Sequence, residues 1–236
     1  MAQIKISAKN LGALALPGFC PRCFWISMHC SKLPFQIFPG IFSSIDSYTK
    51  KVTNLHFELH HRLPSWLKEV SIQARPVKVP HHSKFKVLHE ETDILLNGMP
   101  DEILQKEDGS FLILDYKTAK YTKAQDSLLP LYEVQLNAYA YIGKRNGYDP
   151  IAGLALVYME PLTDLSLEQL DTVIHEDGFL MGFGGHTLEI NLNDEKLIPP
   201  LLNEVRKIYD QPVPPEGDEE CKDCMLLEEL INIVGS

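Results

Sequence analysis

The sequence predicts an α/β protein: a mixed central sheet flanked by helices, with its two end segments joined at a four-cysteine metal site. Three observations predict it. Short β-type runs follow one another from Lys84 to Ala119, a helical stretch leads into the almost continuously apolar IAGLALVYME, and a CxxC pair stands near each end. A chain of 236 residues with 44% hydrophobic and 23% charged residues shows ordinary globular usage, which excludes disorder, collagen and a small disulfide scaffold.

The elements follow in chain order. No apolar run reaches the roughly 20 residues of a membrane helix, and MAQIKISAKN lacks the basic, apolar and cleavage segments of an export signal. A soluble, cytoplasmic chain is expected. LPFQIFPG, from Leu33 to Gly40, reads as a rigid connector. From Ile41 to His61 an amphipathic helix places Ile45, Tyr48, Val52, Leu55 and Leu59 on one face and ends near Pro64. A short helix can follow around Trp66, Leu67 and Val70.

After Pro80 come KFKVLHE, DILLNGMPDEILQKE and, beyond the turn signal Glu107 to Ser110, FLILDYKTA, read as adjacent antiparallel strands. A helix from about Leu131 to Asn146 is stopped by Gly147. IAGLALVYME then belongs inside the sheet. Leu167 to His175 is a further strand or a sheet edge, and Asp194 to Tyr209 is a helix interrupted or started at Pro199 and Pro200. PVPPEGDEE is a turn-rich acidic lead into the second CxxC. We expect one domain over residues 1–236, with a core at about 80–210, a helical and Cys-bearing segment at 1–79 and a Cys segment at 211–236.

Charge divides unevenly. Residues 1–90 hold 12 Lys+Arg against 4 Asp+Glu, and residues 91–236 hold 10 against 28, giving the net −10. A basic part beside an acidic part permits one surface that faces a polyanion and one that collects cations.

Cys20 and Cys23 in CPRC, and Cys221 and Cys224 in CKDC, have metal-ligand spacing. Two thiolates two residues apart grip one ion from a tight turn, and a second pair completes a tetrahedron for Zn²⁺ or the ligand set of an iron–sulfur cluster. Such a site would be structural, because four thiolates leave no open position. Cys30 has no partner by spacing and reads as a packed or free thiol.

The chemistry concentrates between Gly98 and Lys117. Asp115 and Lys117 point to one face of their strand, while Leu112, Leu114 and Tyr116 take the other. A bare D-x-K is ordinarily a surface ion pair. Here an apolar strand delivers it, GMPD with Asp101 lies on the neighbouring strand, and a helix with Gln135 and Tyr139 follows. Two carboxylates with a backbone carbonyl and water suit Mg²⁺ or Mn²⁺, and a neighbouring Lys can offset charge on a phosphate.

GMPD, DYKT and QLNAY at these separations resemble the motifs of the PD-(D/E)XK nuclease superfamily, in its RecB-like branch. The resemblance covers residues 80–160, and the two CxxC pairs extend it to both ends. It implies a restriction-endonuclease-like fold and a divalent-metal-dependent DNA nuclease of repair, recombination or CRISPR-type processing. It also implies Asp101 and Asp115 as ligands of Mg²⁺ or Mn²⁺ with the Tyr116 carbonyl, Lys117 as the catalytic amine, and Gln135 and Tyr139 as supports for DNA and site. The early helix of the family often adds a ligand. His56 and His60 share a face and come first here, with Glu58 and His61 behind. Similar CRISPR-associated RecB-like exonucleases hold a [4Fe–4S] cluster with one Cys before the nuclease motifs and three after. Two and two here leave [4Fe–4S] and Zn²⁺ both open.

The DNA, single-stranded or frayed, would meet Lys120, Lys123, Lys144 and Arg145, with Lys50, Lys51 and Arg62 from the basic part. Phe24, Trp25 and Tyr121 can stack on bases, although core packing suits the first two better. A helicase or recombination partner accords with the family. Two other readings stand beside the nuclease: a catalytically silent nuclease-like module for DNA binding or assembly, and a zinc-stabilised interaction protein in which DYKT is chance.

Overall fold

The computed structural model describes residues 3–30, 39–67, 70, 74–121 and 127–235. The strands are β1 (Ile4–Ser7), β2 (Arg75–Val77), β3 (Lys86–His89), β4 (Ile94–Asn97), β5 (Glu102–Gln105), β6 (Phe111–Lys117), β7 (Ile151–Pro161), β8 (Ile174–His175), β9 (Gly178–Phe179) and β10 (Phe183–Ile190). The helices are α1 (Ala8–Gly12), α2 (Pro21–His29), α3 (Gly40–His60), α4 (Leu129–Arg145), α5 (Leu170–Val173), α6 (Asp194–Tyr209) and α7 (Lys222–Gly235). The connector expected at Leu33 to Gly40 lies mostly outside the described residues.

The main sheet is mixed, in the order β10-β7-β6-β5-β2. β6 and β7 run parallel, and the other neighbours run antiparallel. This is the expected mixed sheet flanked by helices. β7, apolar along most of its length, lies inside the sheet because both of its edges are paired and both of its faces are covered. The run DILLNGMPDEILQKE is not one strand. β4 joins β1 and β3 in a separate three-stranded sheet, and the chain crosses to β5 of the main sheet at Gly98 to Asp101. Pro100 has no N–H to donate and so ends any ladder there.

Two cores lie on opposite faces. On one, Ile113, Leu154 and Leu156 pack with Leu136 and Ile142 of α4 and Ile198 and Leu202 of α6. On the other, Leu104, Leu112, Leu114 and Tyr116 pack with Leu63, Leu67 and, at the margin, Trp66. The alternation expected for FLILDYKTA is therefore present. The turn before it carries Gly109 at φ 85°, and Asp108 Oδ1 accepts from the Ser110 N–H at 2.9 Å.

α4 ends as expected, with Gly147 at φ 90° shortly after its last turn. Lys144 and Arg145 in that turn meet Asp194 and Glu195 in the first turn of α6, at 2.7 and 3.0 Å. Each charge suits the end of the helix that bears it. α6 runs through Pro199 and Pro200 without a break. Leu167 to His175 forms a 3₁₀ turn, α5 and a two-residue strand rather than one strand.

α3 differs most from expectation. Its length is as predicted, with His61 in the left-handed conformation at its end (φ 53°). Its buried side chains, however, are Thr49 and Thr53, whereas Tyr48 and Leu59 are 68% and 74% exposed. The sheet surface beneath offers the Tyr116 hydroxyl, which lies 3.3 Å from Thr53 Oγ1, so the polar face turns inward. Among the described residues no helix is long and apolar enough to cross a membrane.

Candidate active site

The site grows from the end of the β5–β6 ladder. Glu102 pairs with Leu114, and one further step of that register sets Asp101 opposite Asp115. The Tyr116 N–H, beyond the last ladder pair, donates to Asp101 Oδ2 at 2.7 Å. The crossing at Gly98 to Asp101 is therefore what brings a carboxylate to the start of β5.

β6 carries Asp115, 3% exposed, and Lys117 on the face that meets α4. Lys117 Nζ lies 2.5 Å from Asp115 Oδ2, 3.3 Å from Gln135 Oε1 and 4.2 Å from the centre of the Tyr132 ring. Gln135 Nε2 donates to Asp115 Oδ1 at 3.3 Å and to the Tyr139 hydroxyl at 2.7 Å. The amide is thus fixed at both ends: its oxygen faces the ammonium and its nitrogen faces the acid. Gln135 and Tyr139 are four apart and share one face of α4.

Gly98 makes room for this packing. A Cβ there would fall 2.8 Å from Cδ1 of Tyr139 and nearer still to Cε1. The Gly of GMPD is needed for that close approach and not for a turn.

From the other side α3 meets the cluster through Lys50 and Asp46, not through His56 and His60. Lys50 Nζ lies 2.6 Å from Asp101 Oδ1 and 2.8 Å from Asp46 Oδ2. His56 and His60 sit about two to three turns further on, their rings 4.6 Å apart, and the His56 Nδ1–H donates to the Arg62 carbonyl at 3.0 Å. A cavity of about 380 Å³ opens above the cluster, with Asp101, Asp115, Lys117, Lys9 and Tyr132 in its wall.

Burial controls the electrostatics. Desolvation, and then the charge of Asp115, push the Asp101 carboxyl up to about 7 against the pull of Lys50. Burial also pushes Asp115 up, opposed by Lys117. Glu102 is buried beside them without an ion-pair partner among the described residues, and desolvation followed by the charge of Asp101 pushes it up to about 7. The Tyr139 hydroxyl is raised by burial and by Asp115. Desolvation works against charge on Lys50, yet Asp101 and Asp46 hold it protonated above its ordinary range. A buried carboxylate, Asp115, and a partly buried one, Asp101, whose proton it helps to hold, with Tyr116 in the same cavity wall, are a donor set that fits a hard divalent cation.

Sequence reasoning missed Asp46, Glu102, Tyr132 and Lys9, and gave Lys50 to the DNA groove and not to the cluster itself. Asp46 and Lys50 are an i,i+4 pair, and Glu102 is the acid that opens the short strand EILQ, so both left a trace in the sequence.

The structure does not bring Lys144 and Arg145 to the cluster. Both are taken up by α6, and Arg145 lies over Tyr141 with 3.5 Å between its guanidinium carbon and the ring centre. Lys120 is exposed just beyond β6, and Lys123 lies outside the described residues. Phe24 is buried in the core, whereas Trp25 stacks on His29 and donates to the Gln211 carbonyl at 3.1 Å. Tyr121 stacks on His186 with ring centres 5.1 Å apart.

At the other centre, α2 and α7 bring Cys20, Cys23, Cys221 and Cys224 together, with all four sulfurs within 4.8 Å of one another. All are free thiols, as is the exposed Cys30. Burial opposes charge on Cys20, but the N–H groups of Cys23 and Asp218 and the neighbouring thiols bring it down to about 7. Burial, then the neighbouring sulfurs, push Cys23 up, and burial with Cys20 and Cys221 takes Cys224 up to about 11. A cation at this centre would therefore favour the thiolates of Cys23 and Cys224.

The comparisons with known proteins agree with these motifs. The family model described as the PD-(D/E)XK nuclease superfamily matches residues 39–228. The solved structure described as "Crystal structure of SSO0001" is 14% identical over 97% of this chain and 86% of that one, with a TM-score of 0.39, a likeness too low to carry an argument. No curated protein matches the sequence. On the family match, which spans most of the chain, this protein belongs to the PD-(D/E)XK nuclease superfamily.

Proposed function

We propose that the protein is a divalent-metal-dependent DNA nuclease acting on single-stranded or frayed DNA, with the four cysteines as a structural metal site. The observation that carries the reading is the convergence of Asp101, Asp115, Lys117, Gln135 and Tyr139 on one cavity, with one buried and one partly buried carboxylate side by side in its wall. The chain acts as one nuclease-like unit with its core at about 80–210.

Asp101, Asp115 and the Tyr116 carbonyl would hold Mg²⁺ or Mn²⁺. Such an ion supplies Lewis acidity, drawing charge from a phosphate oxygen and easing loss of a proton from water. Lys117, steadied by Asp115 and Gln135, donates to a phosphate oxygen and offsets the negative charge that grows in the transition state. Gln135 fixes the spacing of acid and amine, and Tyr139 fixes Gln135. Lys50 balances charge on Asp101. Lys9 and Lys120 offer exposed cations to the strand as it enters.

The test incubates protein with end-labelled single- and double-stranded DNA and Mn²⁺, comparing the wild type with Lys117→Ala. Metal-dependent cutting that is lost in the variant supports the reading. If both proteins bind DNA and neither cuts it, the silent binding module takes its place.

A further inference from the structure

We infer that Cys20, Cys23, Cys221 and Cys224 bind one tetrahedral Zn²⁺ and not an iron–sulfur cubane. This rests on reading the four thiols as one metal site and is independent of nuclease activity. The argument is one of size. Four thiolates on a single ion at about 2.3 Å occupy the corners of a tetrahedron whose edges are about 3.8 Å. A cubane holds each thiolate on a different iron, so an iron–iron edge separates every pair and the sulfurs stand about 6 Å or more apart.

The sulfur pairs Cys20–Cys224, Cys23–Cys221 and Cys23–Cys224 are 3.5, 3.6 and 3.4 Å apart. No pair among the four exceeds 4.8 Å. Three of the six edges match one ion, and none of the six reaches the cubane.

The surroundings close over one side of the centre, at the two buried cysteines, Cys20 and Cys224. A Cβ at Gly217 would fall 2.9 Å from Cys224 Sγ and 3.3 Å from Arg22 Cδ, so the backbone of the 217–218 turn closes directly over the sulfurs. The Asp218 N–H points at Cys20 Sγ at 3.5 Å. Arg22, tied to Glu228 at 2.7 Å, brings a guanidinium beside a centre whose four thiolates and one divalent ion carry a net charge of about −2. Among divalent ions that four thiolates accept, Zn²⁺ binds more tightly than Fe²⁺ and imposes no geometry of its own.

The test uses the whole chain, expressed with both iron and zinc supplied and purified without oxygen. Metal, acid-labile sulfide and reactive thiols are counted per chain. One Zn²⁺, no sulfide, and Cys30 as the one reactive thiol until the protein is unfolded in chelator are expected. Zinc absorption spectroscopy should show a single sulfur shell at about 2.3 Å. Cys30→Ser should keep the zinc, and Cys23→Ser should lose it. Four irons with four sulfides would overturn the inference, as would a single iron, or a chain without metal whose five thiols all react while it is folded.

Discussion

Glu102 offers the sharpest test of the electrostatic reading. It is 3% exposed in β5, has no ion-pair partner among the described residues, and is held up to about 7 by burial and Asp101. In the unfolded chain its carboxyl returns to about 4.5. Between those values the folded protein keeps a proton that the unfolded chain has released, so stability falls as pH rises from about 4.5 to about 7 and is level above. At about 1.4 kcal/mol per decade of pH, the ionised form costs about 3 kcal/mol by pH 8. Glu102→Gln keeps the shape and removes the charge. Urea unfolding of the two proteins at pH 4, 6, 7 and 8, without added Mg²⁺ or Mn²⁺, should give nearly equal stabilities at pH 4. By pH 8 the variant should gain about 3 kcal/mol. A difference that does not vary with pH would refute the argument that burial holds this carboxyl protonated.

Three further outcomes are expected. Lys144→Ala strands the Asp194 carboxylate, whose side chain is 4% exposed; unfolding should show a loss of about 3 kcal/mol, with DNA cutting by the folded protein unchanged. Gly98→Ala drives a methyl group into Tyr139; a loss of about 1–3 kcal/mol is expected in thermal unfolding, and the cutting rate should fall because Gln135 loses its support. Cys20→Ser should lower both bound metal and the melting point, since releasing a closure of about 200 residues costs about 5 kcal/mol in chain entropy alone; an unchanged melting point would sink the structural role.

Period-two alternation made β6 legible. Ile113 and Asp115 against Leu112, Leu114 and Tyr116 follow directly from the pleat, and Gln135 with Tyr139 follows from helical spacing. The CxxC pairs announced their own convergence. What stayed hidden depends on partners distant in sequence. Periodicity showed that α3 is amphipathic but could not say which face the sheet would take. That was decided by the Tyr116 hydroxyl and the Asp101 carboxylate, polar groups to which Thr53 and Lys50 answer. Lys144 and Arg145 read as DNA contacts because nothing near them in sequence is acidic enough to claim them; Asp194 and Glu195, some fifty residues on, do so. DILLNGMPDEILQKE read as one strand because a crossing between sheets of only four residues leaves no turn signature beyond Gly and Pro.

The cysteine centre also has a mechanical consequence. It bridges residues 20–23 to residues 221–224, and nearly all of the sheet lies between those two positions. With a metal bound there, tension applied through residues on either side would pass from α2 to α7 through the metal–sulfur bonds and bypass β5, β6 and β7. Pulled in an optical trap from handles beyond the two cysteine pairs, the loaded protein should yield first by rupture of the thiolate clasp, and only then lengthen by unravelling of the sheet.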